Sequence, residues 1–352
     1  PFDLFRFAAI ALSSGAGFAR RRFAGEAARR VLPGLALHVD LGPEDRFSAA
    51  LGYMLGTSAA VGGNAIPVGG AGAITDALVR RLREAGGVVR LGASAERIVF
   101  EAGRPKAVRL ADGEDVPVNG PVLADTDAPF LYLKLLADVG LSGRIQRRMQ
   151  RFPRAWGTFK VDWALGGPVP WTSDEARRAA VVHAGDSLDD LTRFTAQVRG
   201  GALPDHPYLV IGQQSVADPS RAPAGQHTLW AYSRVPSSVE GGWSAHAEAF
   251  ADRMEARIEG LAPGFRQQIL ARRIVTPRDL EAFDPNLVGG DLSGGSNVWT
   301  NQLFFRPVFP YFRYRTPAAG VYLCSSYAHP GAGVHGMCGF NAAHAALADR
   351  GL

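Results

Sequence analysis

Apolar positions over the first 55 residues recur at helical spacing. Phe5, Phe7, Ala8, Ala11 and Leu12 make one stripe and Ser13 to Gly17 interrupts it. An arginine-rich amphipathic stretch then runs from Ala19 to Leu32 and is closed by Pro33-Gly34. The texture changes at Val61 to Gly72, which reads VGGNAIPVGGAG. Beyond it, apolar residues at 74, 77, 78, 79 and 82 predict a helix over Ile74–Glu84, stopped by Gly86-Gly87. The period then shortens, predicting strands at Val88–Leu91, Ala95–Glu101 and Pro105–Leu110. Asp112-Gly113 is a hairpin-type turn leading to a strand at Val116–Val118.

Val122-Leu123-Ala124 reads as a brief buried strand ending at Asp125, and helices are expected at Phe130–Val139 and Leu141–Phe152. From Gly157 to Ser233 apolar strands alternate with Pro/Gly-rich connections. Thr158–Leu165, Tyr208–Gln213 and His227–Ser233 are read as an antiparallel sheet. A long helix is expected over Ser244–Leu261 and a strand over Ala271–Val275. The last 50 residues are loop-rich until a strand at Val321–Ser326, after which the loop from His329 to Gly336 opens a helix from about Gly339.

The chain has 352 residues, 47% hydrophobic and 20% charged, so it can bury a real core, and its length suggests roughly two domains. Its formal charge is +5, carried almost wholly by arginine. The arginine clusters lack interleaved aromatics, so nucleic acid is not an expected partner. Solvated helix faces account for them, with peripheral membrane contact as the alternative. Cys324 and Cys338 have no CxxC partner and no histidines at ligand spacing, so a cytoplasmic protein with reduced thiols and no metal is expected. No apolar run reaches the roughly 18 residues of a membrane span.

Gly331-Ala332-Gly333-Val334-His335-Gly336 matches GxGxxG after a strand and before a helix. Only 16 residues follow Gly336, too few for the crossover, second strand and acidic ribose ligand of a dinucleotide-binding unit. The loop physics still holds: glycines let backbone N–H groups approach a ligand, and a helix start offers orphan donors and a partial positive charge. A cofactor or anion role and a plain tight turn both stay open on this ground.

The run Val321 to Ala343, with its HPGAGVHG loop and FNAAH helix start, resembles the C-terminal flavin signature of the phytoene desaturase-like NAD(P)/FAD-dependent oxidoreductases. Those belong to the wider amine oxidase and glutathione reductase-type superfamily. Pro67-Val68-Gly69-Gly70 with the helix after it, Gly86-Gly87-Val88-Val89, Ala95–Ile98 and Val122–Asp125 are similar to the family's middle FAD segment, and Arg306-Pro307 and Gly320–Leu323 fit its pattern. The resemblance implies a mixed α/β (α+β) fold, an FAD/NAD(P)-binding-type domain interleaved with a substrate domain of antiparallel sheet and helices. It divides the chain into substrate-domain helices (1–58), a middle FAD segment (59–128), the substrate domain (129–300) and a C-terminal FAD segment (301–352). It implies FAD as cofactor, with Ala95 against the adenine and Ala124, Asp125 and Thr126 lining the adenosine side. Gly331, Gly333, Val334, His335 and Gly336 would lie by the flavin ring and Asn341 near the helix start.

The family opens with a βαβ unit whose GxGxxG holds the pyrophosphate, and nothing before Pro67 supplies it. The chain therefore reads as N-terminally truncated, expected to bind FAD weakly or not at all by itself and to purify colourless. The implied activity is hydride transfer from an apolar, isoprenoid or lipid-like substrate to flavin N5. Trp299, Phe304, Phe305 and Tyr311, with Phe309 and Phe312, are the candidate substrate face, and a sheet lined by Phe159, Trp163, Trp230 and Tyr232 is a second candidate wall. No catalytic residue is assigned: His329 and His335 are read as structural. The alternatives are an amine oxidase-like flavoenzyme and a non-catalytic remnant or binding module.

Overall fold

The computed structural model describes residues 2–63 and 65–351, with side chains from Phe7 onward; Phe5 of the first stripe and Asn64 of the glycine-rich run lie outside that description. Among the described residues ten strands follow in chain order: β1 (Ala95–Glu101), β2 (Arg104–Leu110), β3 (Asp115–Pro117), β4 (Val122–Ala124), β5 (Gly157–Leu165), β6 (Val181–Ala184), β7 (Leu209–Gly212), β8 (His227–Val235), β9 (Ile269–Val275) and β10 (Val321–Leu323). Helices and antiparallel and parallel strands coexist, so the mixed α/β class is correct. Two compact units are present, Pro1–Val89 with Trp156–Phe283, and Arg90–Ala155 with Asp284–Leu352.

In the first unit β6-β7-β8-β5-β9 form an antiparallel sheet. The period-2 alternation of β5 sends Phe159, Val161, Trp163 and Leu165 to one face, where all four are buried. They meet the apolar side of the helix Trp243–Leu261 and the turn beyond it: Phe159 packs edge-on to Phe250 with ring centroids 4.9 Å apart, and Trp163 to Phe265, which opens the next short helix, at 5.7 Å. The indole N–H of Trp163 donates to Glu255 at 2.9 Å, so this polar atom brought into the core is satisfied. Trp230 and Tyr232 stand opposite Asp162 and Lys160 in the register and share the other face, stacked 6.0 Å apart. The candidate wall of Phe159, Trp163, Trp230 and Tyr232 is therefore corrected: alternation splits those rings between two faces, and the first two are core.

Four local readings also change. Pro33-Gly34 does not close a helix but lies inside Val31–Ala36, with Pro33 in the first turn, where its missing N–H is not needed. Val88–Leu91 is not a strand: it follows the positive-φ stop at Gly86, has no partner strand, and leaves Val88 and Leu91 each 88% exposed. The predicted helix from Phe130 is instead a short turn, Ala128–Phe130, widening into a π-helical turn at Leu131–Leu135. The strand-rich region from Gly157 also contains a helix, Leu188–Arg199, capped by Ser187, which accepts the Asp190 N–H at 3.0 Å.

In the second unit β1-β2-β3 form an antiparallel meander, and β4 lies parallel to β10. Ile98, Ala124, Leu131, Leu135, Met149, Val321, Leu323 and Tyr327 build its apolar core. Much of Asp284–Gly320 is irregular, yet it is tied down by buried polar groups. Asp291 accepts the backbone N–H groups of Ala155 at 2.9 Å, Ser293 at 2.7 Å and Gly295 at 2.8 Å. No helix among the described residues is long and apolar enough to cross a membrane.

Candidate functional site

The parallel pair fixes where the site lies. Val122, Leu123 and Ala124 stand beside Val321, Tyr322 and Leu323, so both strands end at the same level. The Cys324 N–H donates to the Ala124 carbonyl at 2.9 Å, and the Ser325 hydroxyl to the Thr126 carbonyl at 2.7 Å. Asp125–Thr126 and the segment leading into the glycine loop thus leave one end of the sheet side by side, the carboxyl end, where ligands of parallel α/β sheets bind. Ala95 begins β1 and packs, half-buried, against the same core as Ala124. Burial, with Asp284 nearby, raises the Asp125 carboxyl above its usual range. Burial, then Asp125, pushes the Cys324 thiol up to about 12, so it stays protonated and is no nucleophile at neutral pH.

The glycine loop is built around its own backbone and one buried arginine. Gly331 adopts φ 101°, and a Cβ there would lie 3.3 Å from Cζ of Arg306, so a close approach as well as the backbone conformation calls for glycine. The His335 N–H donates to the Gly333 carbonyl at 3.0 Å, and His335 Nδ1 accepts the Met337 N–H at 3.0 Å. Gly336, at φ 64°, turns the chain into the helix Met337–Ala348, and its predicted start at Gly339 moves two residues earlier. Val334 to Met337 face solvent, Val334 at 92%. Asn341 Nδ2 donates to the Tyr314 hydroxyl at 2.8 Å, which in turn donates to the His329 carbonyl at 2.8 Å, so Asn341 braces the loop from behind. His329 Nδ1 is buried and has no hydrogen-bond partner among the described residues. Its pKa is lowered by burial, then by Arg306, so the imidazole is neutral at physiological pH.

Two polar assemblies beside this end went unread in the sequence. Asp127, next to Thr126, is buried, ion-pairs with Arg154, accepts the Phe130 N–H at 2.7 Å and is held at its own N–H by Asn286 Oδ1 at 2.8 Å. Arg154 also donates to the Tyr327 hydroxyl at 2.7 Å. The second assembly is centred on Arg306, wholly buried, whose guanidinium donates to the carbonyls of Ser293 and Gly294 at 2.8 Å each and of Ser326 at 2.8 Å. Arg306-Pro307 was visible only as a family pattern; no periodicity marks a side chain that binds carbonyls of distant loops.

The candidate substrate aromatics do not form one group. Trp299, Phe304 and Phe305 are about half exposed at 57%, 55% and 48%. Phe312 packs edge-on to Phe304 and stacks with Phe309. Tyr311, by contrast, packs half-buried against the core of the unit. In the first unit Asp186, Asp190 and His206 bring ligand atoms within 4.8 Å of one another. Arg257 ion-pairs with both aspartates, at 2.9 and 3.5 Å, and supplies the positive charge there.

No family model matches the chain. A triple mutant of putrescine oxidase has a TM-score of 0.58 to it at 16% identity, covering 98% of this chain and 69% of that one. The fold is therefore that of the oxidoreductases of the amine oxidase type. In sequence the chain is 31% identical over 296 residues to "pyridine nucleotide-disulfide oxidoreductase domain-containing protein 2" of Mus musculus, 80% of this chain and 50% of that protein. It is 27% identical over 285 residues to the lycopene-forming phytoene desaturase of Pseudescherichia vulneris, 80% of this chain and 55% of that protein. The chain is a homologue of the phytoene desaturase-like oxidoreductases, as its HPGAGVHG block indicated, and spans about half the length of the curated relatives it matches.

Proposed function

We propose that this chain supplies the flavin-ring side and the substrate side of an FAD-dependent oxidoreductase that removes hydride from a C–H bond of an apolar, isoprenoid or lipid-like molecule. The observation that carries this reading is the shared carboxyl end of β4 and β10, which puts Asp125–Thr126 beside the approach to the glycine loop and its helix. Homology to phytoene desaturases supports the choice of substrate class.

The residues present suit a flavin. A 12-residue helix starts at an exposed glycine turn, so although His335 takes the Met337 N–H, its partial positive end faces outward, toward where an electron-rich ring carbonyl would rest. At Gly333 a Cβ would sit 2.6 Å from the His335 ring, so the bare backbone keeps the loop low. His329 Nδ1, buried and without a partner, marks a polar group at the loop that a ligand or water would satisfy. When bound, the flavin supplies the hydride acceptor.

The chain's own work is to hold and to shield. Gly331, Gly333, Val334, His335 and Gly336 would seat the ring, Asn341 would keep the loop in place through Tyr314, and Ala95, Ala124, Asp125 and Thr126 would line the adenosine side. Trp299, Phe304 and Phe305 would offer the apolar face that docks the substrate and excludes water.

The test is to load the full natural protein that carries this chain with FAD, follow its visible absorption under anaerobic conditions, and add apolar polyenes or amines in turn. Bleaching by polyenes is expected. Bleaching by amines alone would turn the assignment to an amine oxidase-like activity, and failure to take up FAD would leave the alternative of a binding module.

A further inference from the structure

We propose that Arg306 is the positioning residue of the glycine loop, setting the height at which Gly331–Gly336 is presented; the proposal rests on the flavin reading for what that loop receives. Its guanidinium reaches two separate stretches of backbone. It donates to Ser293 and Gly294 on one loop, to Ser296 at 3.4 Å a little further along it, and to Ser326 at the exit of β10. Gly331 lies directly against it, with a would-be Cβ 3.3 Å from both Cζ and Nη2 and 3.4 Å from Nε.

The planar fork explains why an arginine stands here. Five N–H donors in one rigid plane can bind several carbonyls at once with Gly331 packed close against the guanidinium, and an ammonium has neither the reach nor the plane. The loop on the far side of the fork is itself built to be rigid, because Asp291 fastens Ser293 and Gly295 by their N–H groups. The order of causes runs from Asp291 to loop 293–296, from that loop through Arg306 to Ser326, and so to the path of 326–331. Arg306 touches no reacting atom in this scheme; it acts through the loop.

Hydrogen exchange and FAD titration separate the proposal from the reading it rests on. R306K, which keeps the charge and loses the fork, is expected to speed amide exchange at 293–297 and 326–333 and to leave β5 and β8 as they were. FAD affinity, followed by flavin fluorescence, should fall by about tenfold or more, since two or more charge-assisted hydrogen bonds are lost. Methylguanidinium at low millimolar concentration should restore part of the affinity of R306A, and methylammonium should not. If neither variant folds, G331A keeps Arg306 and inserts a methyl group against it, and the same exchange signature is expected. Wild-type exchange in all the folded variants, or rescue by ammonium as readily as by guanidinium, overturns the positioning role. These measurements use the full natural protein that carries this chain; if it takes up no FAD without substitution, the flavin reading fails, and the exchange pattern alone still decides what Arg306 does.

Discussion

The two units solve the problem of a buried interior in opposite ways. The sheet unit fills one face of β5 with Phe159, Val161, Trp163 and Leu165 and covers it with the helix Trp243–Leu261 and Phe265 just beyond it, so its stability rests on apolar contact. The unit that carries the glycine loop has a smaller apolar core and a second interior of polar groups: Asp127, Asp291, Ser293, Asn301 and Arg306 are all nearly or wholly buried. An apolar core tolerates only what fits; a polar one fixes loops by direction. The loop unit needs direction because its candidate site is made of backbone, and backbone in irregular segments is held in place by hydrogen bonds.

The largest effect should come from the apolar side. Phe159→Ala removes a wholly buried ring packed on Phe250 and Trp243, and is expected to cost about 3–5 kcal/mol in urea unfolding. A loss below about 1 kcal/mol would show that this face is not the source of stability. Asp127→Ala probes the polar side: it strips Arg154 of its carboxylate and removes the cap at Phe130, for an expected loss of about 3 kcal/mol. Asp127→Asn should recover part of the cap and little of the ion pair, and equal losses for the two would contradict the directional account.

Acid should weaken the sheet unit through one imidazole. His38 is held down to about 4 by burial first, then by His183 and Arg234. The Tyr232 hydroxyl meets its Nδ1 at 3.1 Å, and His183 meets its Nε2 at 2.7 Å. Its folded pKa lies below the unfolded value of about 6.5, so the unfolded chain takes up the proton first as pH falls. The contribution is complete above about pH 6.5 and is lost toward pH 4, roughly 1–2 kcal/mol between pH 7 and 5. H38Q should flatten that part of the stability profile; an unchanged slope would mean that other groups carry it. The smallest effect is expected at the loop itself. Gly336→Ala forces a side chain into φ 64° and should cost about 1 kcal/mol of stability, while weakening FAD binding more than it weakens the fold. Equal loss of both would make this glycine merely structural.

Some of this was legible along the chain. The strand at Ala95–Glu101, the helix at Ser244–Leu261 and the loop-to-helix signature after Val321 all stand close to where their patterns put them, since period, caps and glycines are local signals. The helix Leu188–Arg199 carried such signals too, with Ser187 as cap and Leu188, Leu191, Phe194, Thr195 and Val198 on its buried side, and was hidden by the strands around it. Val88–Leu91 failed for the converse reason: Val88, Val89 and Leu91 have strand texture, but a strand exists only where another strand offers hydrogen bonds.

The sequence by itself determined the composition of the candidate site: the HPGAGVHG loop, the helix it opens, the short strand ending at Asp125, and through these the kinship with phytoene desaturase-like oxidoreductases. Only the tertiary structure decided that β4 and β10 run parallel and end together, that Phe159 and Trp163 face away from Trp230 and Tyr232, and that Arg306 and Asp291 hold the loops. Local signals travel a few residues along the chain, as far as a turn or a pleat repeats. A guanidinium that binds the carbonyls of Ser293 and Ser326 depends on where the fold brings two distant backbones, and no spacing in the sequence encodes that meeting.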